Sequence, residues 1–347
     1  MISFSQCRRI AAAAAVLAVG AAAAPLPQQL DGRLDRGLTL LYQGQYEASC
    51  DTFRSFIREY PQHPAGYFFM AGAYQLRSLA DESDAWDPAY VAYLDSALER
   101  SSAAVRADPR DAWAYFFRGG TYAYMAARDA RRGSMLAALN KGLSGMADLN
   151  RAVGLDPALY DAYLGLGSYH YFRTKAASIF RWLPFIGDKR DQGITELALA
   201  AERGRYSRVM AQNGMVWVCI DYGKYDRALD AALALEQEYP GNHAFHWGAP
   251  EVYCRTGQWA KAAAGYRRLL QLVEDARPMN NYNRVSVKAR LAKCLYESGS
   301  FADAYRTAKE AIDLPLDDAA AKRLQKERIK AQQVMKQAQQ RLRGARP

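Results

Sequence analysis

A step of 48 residues governs the middle of this chain. Pro61, Pro109 and Pro157 are separated by it, and the same step again reaches Arg205. Small residues keep the beat at Ala97, Gly145 and Gly193, and again at Ala104, Ala152 and Ala200. Tyr67, Tyr115 and Tyr163 open each unit in the same place. Self-similarity at such a period marks a solenoid, whose units bury their apolar faces only by stacking on neighbours. A chain of 347 residues could hold two or three ordinary domains, but as a solenoid it forms one continuous array. Hydrophobic residues make up 50% of it, enough for a packed core, and stretches of alternating β-branched residues are nearly absent. The expectation is an all-α protein.

The first residues read as something other than fold. Arg8 and Arg9 stand in a leading segment without acids, and Ile10 to Ala24 is an unbroken run of small and apolar residues. That run is too short for the roughly 20 residues of a membrane-spanning helix. Ala21-Ala22-Ala23 offers a small-residue cleavage site, so residues 1–23 are expected to be a secretory signal peptide and the mature chain to start at Ala24. The other reading is a retained membrane anchor. Cys7 precedes the apolar run and so is not placed as a lipoprotein cysteine.

The net charge of +10 is local. Arg8 and Arg9 account for two charges. Nine basic residues and one acid, Glu327, lie between Ala319 and Pro347, which is +8. The array between is therefore near neutral, which argues against nucleic acid as a partner.

Four units carry a finer pattern. They include Gly44-Gln45-Tyr46 with Phe53 and Pro61, and Gly223-Lys224-Tyr225 with Ala228 and Pro240. The others are Tyr253 and Gly257-Gln258-Trp259 with Ala262 and Tyr266, and Leu291 and Gly299-Ser300-Phe301 with Ala304 and Ala311. In these features the chain resembles tetratricopeptide-repeat proteins, from about Leu30 to Leu316. The resemblance implies an α-solenoid of about seven helix–turn–helix hairpins over residues 24–316. Small residues allow close helix approach, and Gly44, Gly223, Gly257 and Gly299 suit helix C-termini, where positive φ favours glycine.

The central units, about 64–205, depart from that pattern. From the first-helix Tyr to the second-helix small residue is 23 residues, both from Tyr74 to Ala97 and from Tyr122 to Gly145. The ordinary unit has about nine, so the excess is about two heptads, and longer helices keep both apolar faces in register. Long hairpins are predicted at about 64–80 with 88–107, 111–128 with 134–155, and 161–177 with 188–203. A small extra helix in each connection is the alternative. The third tip, with Phe180, Trp182 and Phe185, is too apolar for an exposed turn. It either packs on its neighbour or contacts a membrane surface or partner. After Leu316, residues 317–347 are expected to hold a basic capping helix with Leu324, Ala331, Met335, Ala338 and Leu342 on its inner stripe.

No catalytic motif is present. His243 and His246 have a spacing that could hold a metal on a helix, but no third ligand accompanies them, so neither metal nor cofactor is expected. Gly165-Leu166-Gly167 follows no strand and reads as helix packing. Pro250 is expected to kink a helix. Cys219, Cys254 and Cys294 fall near equivalent positions of successive repeats, about 8–10 Å apart across neighbouring helices. That exceeds the reach of a disulfide, so buried free thiols are expected.

The functional expectation is a non-enzymatic exported scaffold with a protein or peptide partner. In tetratricopeptide repeats the first helix of each pair lines the concave surface. The resemblance places Phe68, Trp113, Phe116, Tyr171, Phe172, Trp217, Trp247 and Tyr296 there, an aromatic lining unlike the Lys, Arg and Asn that clamp a charged terminus. These rings either bind a partner or, if the hairpins curl tightly, form core. The alternative is an envelope protein that touches membrane, lipid or cell wall through the apolar tip at 179–186 and the basic tail.

Overall fold

The computed structural model describes residues 28–177, 187–277 and 279–344, with side chains except those of 28–31, 176 and 177. The segment 1–23 and the apolar tip carrying Phe180, Trp182 and Phe185 lie outside the described residues. Among the described residues the structure is all-α: helical hairpins follow one another, with no strand.

The hairpins are α1 (Gln28–Tyr42) with α2 (Tyr46–Glu59), α3 (Pro64–Asp81) with α4 (Asp87–Ala107), and α5 (Ala112–Arg131) with α6 (Met135–Leu155). Then come α7 (Ala162–Ala177) with α8 (Arg190–Arg203), α9 (Arg208–Tyr222) with α10 (Tyr225–Glu238), α11 (Gly248–Arg255) with α12 (Trp259–Asp275), and α13 (Asn281–Glu297) with α14 (Phe301–Asp313). Two last helices follow, α15 (Asp318–Arg323) and α16 (Gln325–Gly344). The described residues form a tetratricopeptide-type α-solenoid of seven hairpins with a C-terminal cap.

Local chemistry sets the helix ends. Asp111 begins α5 by accepting the N–H groups of Trp113 and Ala114 on one carboxylate oxygen, at 2.9 and 3.1 Å. At α3, Pro64 takes the first turn, where its missing N–H costs nothing, and His63 Nδ1 accepts from Ala65 N–H. Gly44, Gly223, Gly257 and Gly299 end first helices at φ of 79, 77, 71 and 82°. Pro250 does not kink a helix. α11 starts at Gly248, so the proline lies in its first turn, and its ring packs on Gly265 of α12.

The two-heptad excess is taken up by the helices themselves: α3, α4, α5 and α6 have 18, 21, 20 and 21 residues. Their crossing points explain the small-residue beat. A Cβ on Gly119 would stand 2.9 Å from Gly145 O, and one on Gly167 only 2.6 Å from Gly193 O. The first long hairpin uses Ala71 and Ala97 in the same register, both at 0% exposure.

In a simple solenoid each hairpin touches only its neighbours. This one also meets itself. Asp161, buried before α7, accepts the N–H groups of Arg205, Tyr206 and Ser207 at 3.2, 2.7 and 2.7 Å. The Tyr206 ring is thereby held inside, with centroids 5.3 Å from Phe69 of α3 and 5.8 Å from Trp113 of α5. From the first hairpin, Tyr42 packs on Tyr239 and Phe245 at 5.8 and 6.4 Å, and its carbonyl accepts from Asn242 Nδ2 at 2.9 Å. Farther out, Asn283 of α13 donates to the Ala80 carbonyl at the end of α3, at 2.6 Å.

The tail completes this closure. Ala331, Val334 and Ala338 are buried against α13 and α14, Leu324 is buried ahead of α16, Met335 is partly buried, and Leu342 is exposed. Arg328 donates to the Ile312 and Leu314 carbonyls at 2.9 and 2.6 Å, satisfying the end of α14. Arg323 lies over the Tyr282 ring and pairs with Glu82 at the tip of α3.

Gly167→Ala tests the crossing. Two of the three atoms its Cβ would meet, Gly193 O and Leu197 N, are backbone and cannot rotate away, so urea denaturation should show a loss of about 1–3 kcal/mol. Gly154→Ala, with nothing within 4 Å, should be neutral or stabilising by up to about 1 kcal/mol. Equal behaviour of the two would contradict the close crossing.

Candidate functional site

The eight aromatic rings predicted to line the inner face fall into three groups. Phe68, Phe116 and Tyr171 are core, at 6%, 5% and 1% exposure. Phe68 stacks on Tyr124 at 5.1 Å and meets Phe69, Phe116 and Phe117 edge-on at 5.2 to 5.7 Å. Tyr171 donates its hydroxyl to Asp221 of α9 at 2.7 Å. The inward curl that brings Tyr206 and Tyr42 to the centre takes Phe68 and Phe116 out of reach of a partner.

Trp113, Trp247 and Tyr296 are half-buried. The Trp247 ring lies 5.5 Å from the Arg290 guanidinium, and Tyr296 meets Phe301 at 5.4 Å. Phe172 and Trp217, on α7 and α9, are 55% and 42% exposed. These two helices are joined through Asp221, which accepts from Tyr171 and from Lys175 Nζ at 2.7 and 2.6 Å. The polar contacts set α7 against α9 while Phe172 and Trp217 remain in solvent.

Trp113 also lines a cavity of about 370 Å³ between the turn that joins the first and second hairpins and the turn that joins the second and third, with Tyr60, Pro61, His63, Pro64 and Phe117. Two of its polar groups are already engaged. His63 Nδ1 accepts from Ala65 N–H and Asp111 caps α5. Burial lowers the His63 pKa against the opposing pull of Asp111, so the ring is neutral at neutral pH. Such a cavity, walled mainly by rings and prolines with Gln62 at its exposed edge, suits an apolar side chain.

Two His–Glu pairs look enzyme-like among the described residues: His170 with Glu196, 2.6 Å between Nδ1 and Oε2, and His246 with Glu236. Burial pushes the Glu236 carboxyl up to about 7 and the His246 ring down, with 4.0 Å between Oε2 and Nδ1. His243 starts a 3₁₀ turn, so it does not share an α-helical face with His246. Among the described residues no group of three or more His, Cys, Asp or Glu side chains could hold a metal.

Two features escaped sequence reasoning. The turn Tyr60-Pro61-Gln62-His63-Pro64 reads as a repeat end, yet it walls the cavity. On α6, Met135, Leu136, Leu139 and Leu143 are 57%, 80%, 48% and 44% exposed. Their spacing near i, i+4, i+8 is visible in the sequence, but it does not tell a packed stripe from an exposed one.

A family model described as tetratricopeptide repeat matches residues 31–63. No curated protein sequence matches significantly. Cut9–Hcn1, an APC/C hetero-tetramer, is 14% identical to the chain with a TM-score of 0.52, over 87% of this chain and 54% of that one. PilW, described as a type IV pilus biogenesis factor, is 13% identical over 67% and 91%, with a TM-score of 0.46. The C-terminal part of a TPR repeat-containing protein from Cytophaga hutchinsonii is 13% identical over 83% and 98%, with a TM-score of 0.45. At these identities the likeness is one of fold.

Core and surface rings should separate on mutation. Phe68→Ala is expected to cost about 3–5 kcal/mol in chemical denaturation, and Trp217→Ala to stay within about 0.5 kcal/mol of wild type. A large loss at Trp217 would place that ring in the core.

Proposed function

We propose that this chain, a tetratricopeptide-type solenoid in fold, is an exported, non-enzymatic scaffold that binds an apolar segment of a protein partner. The observation that carries this reading is the pair Phe172 and Trp217: two large rings left in solvent on successive first helices, beside many that are packed. Aromatic side chains bring large contact area at small entropic cost and dominate binding hot spots. The half-buried Trp247 and Tyr296 would extend the contact, and the cavity beside Trp113 would take one apolar side chain. Export rests on the sequence alone and predicts a mature N-terminus near Ala24, which N-terminal sequencing of native protein checks.

Contact with a membrane surface is the second reading. It is favoured by the exposed apolar stripe on α6 and by Lys322, Lys326, Lys330 and Lys336, all exposed along the last two helices. Liposome flotation of wild type against a variant with Leu136 and Leu139 changed to Ser addresses it.

The scaffold reading is tested on a partner recovered from envelope extract and then purified. Phe172→Ala and Trp217→Ala should each weaken its affinity about 30-fold, the size of a hot spot, with melting unchanged. Affinity within twofold of wild type for both would refute the site.

A further inference from the structure

Cys254, in the last turn of α11, and Cys294, in α13, place their sulfurs 3.0 Å apart. Both thiols are free, as expected from the sequence, but the two sulfurs are in contact across the two helices, nearer than the average helix spacing implies. Two thiols in contact need about 1 Å of closure to reach disulfide length.

The pair is also asymmetric. Cys294 is fully buried, whereas Cys254 keeps part of its surface open. The hydrogen bond from Cys294 favours the Cys254 thiolate, and so does the Lys293 ammonium, against burial and the Glu251 carboxylate. The same bond, with burial, pushes the Cys294 thiol up. Cys50 and Cys219, on α2 and α9, are buried thiols raised by desolvation. An open, activated thiol in front of a buried one is the arrangement of an attacking and a resolving cysteine.

We propose that Cys254 and Cys294 form a dithiol site that reacts with a disulfide oxidant and closes into an intramolecular disulfide pinning α11 to α13. The Cys254 thiolate attacks one sulfur of an oxidant RSSR, forming a mixed disulfide and releasing one RS⁻, which takes up the proton that Cys254 lost. Cys294 then gives its proton to the departing second RS⁻ as its sulfur attacks that of Cys254. Two protein thiols and RSSR become one protein disulfide and two RSH, with two electrons passing to the oxidant. The bridge would fix the flank where Trp247, ahead of α11, rests on Arg290 of α13.

The test uses the purified full chain incubated with oxidised glutathione, then alkylated under denaturing conditions and peptide-mapped. A peptide linking Cys254 to Cys294 is expected, with Cys50 and Cys219 still alkylated and the melting temperature raised. In Cys294→Ala the resolving sulfur is gone, and glutathione should accumulate on Cys254. Wild type that keeps both thiols alkylatable, or that retains glutathione on Cys254 without closing, would overturn the proposal. So would a bridge from either residue to Cys50 or Cys219.

Discussion

Three backbone N–H groups converge on the carboxylate of Asp161, and the shape of the inner face depends on that cluster. Arg205, Tyr206 and Ser207 would otherwise present unpaired donors at the start of α9. With Asp161 beneath them, the chain turns sharply between the fourth and fifth hairpins, and the Tyr206 ring enters the space a looser superhelix leaves open. There it joins Phe69, Trp113, Phe116, Phe117 and Phe68 in a continuous aromatic cluster. Rings at these distances gain from edge-to-face geometry beyond the area they bury. A Tyr206 ring without that support would have to be desolvated at a site it fills poorly.

The repeat and its hairpins were legible in the sequence because they are local. Glycine at positive φ, aspartate before a first turn and small residues 48 apart each act over a few residues or across one hairpin. Curvature is different. It sums small rotations over many hairpins, and the residues that exploit it, Tyr42 with Asn242 or Ala80 with Asn283, are about 200 apart. No periodicity reports such a pairing. The same limit divides Tyr171 from Phe172: adjacent in sequence, aromatic alike, yet turned by roughly 100° on the helix, one into the α9 contact and the other into water. Cys254 and Cys294 are free thiols, as an average spacing between helices implies, yet their sulfurs stand 3.0 Å apart, a local approach that no average reports.

A closed interior changes what this fold can do. An open tetratricopeptide groove offers a long concave surface to an extended peptide. Here much of that surface is spent on the chain's own core, and what remains is a short aromatic edge on α7 and α9, a cavity beside Trp113, and the flank around Trp247. On the proposed reading, a short apolar segment would bind there with little reorganisation, because the supporting rings are already packed.

Hydrogen exchange on wild type and Tyr206→Ala measures the closure most directly. In a solenoid held together by nearest neighbours, loss of this ring would speed exchange only in the adjoining ends of α8 and α9. In the closed molecule it should also loosen the distant segments that meet there: α3 around Phe69, the end of α1 at Tyr42, and the turn at His243–Phe245. Faster exchange in all three is the predicted result. Acceleration confined to residues next to position 206 would contradict the account.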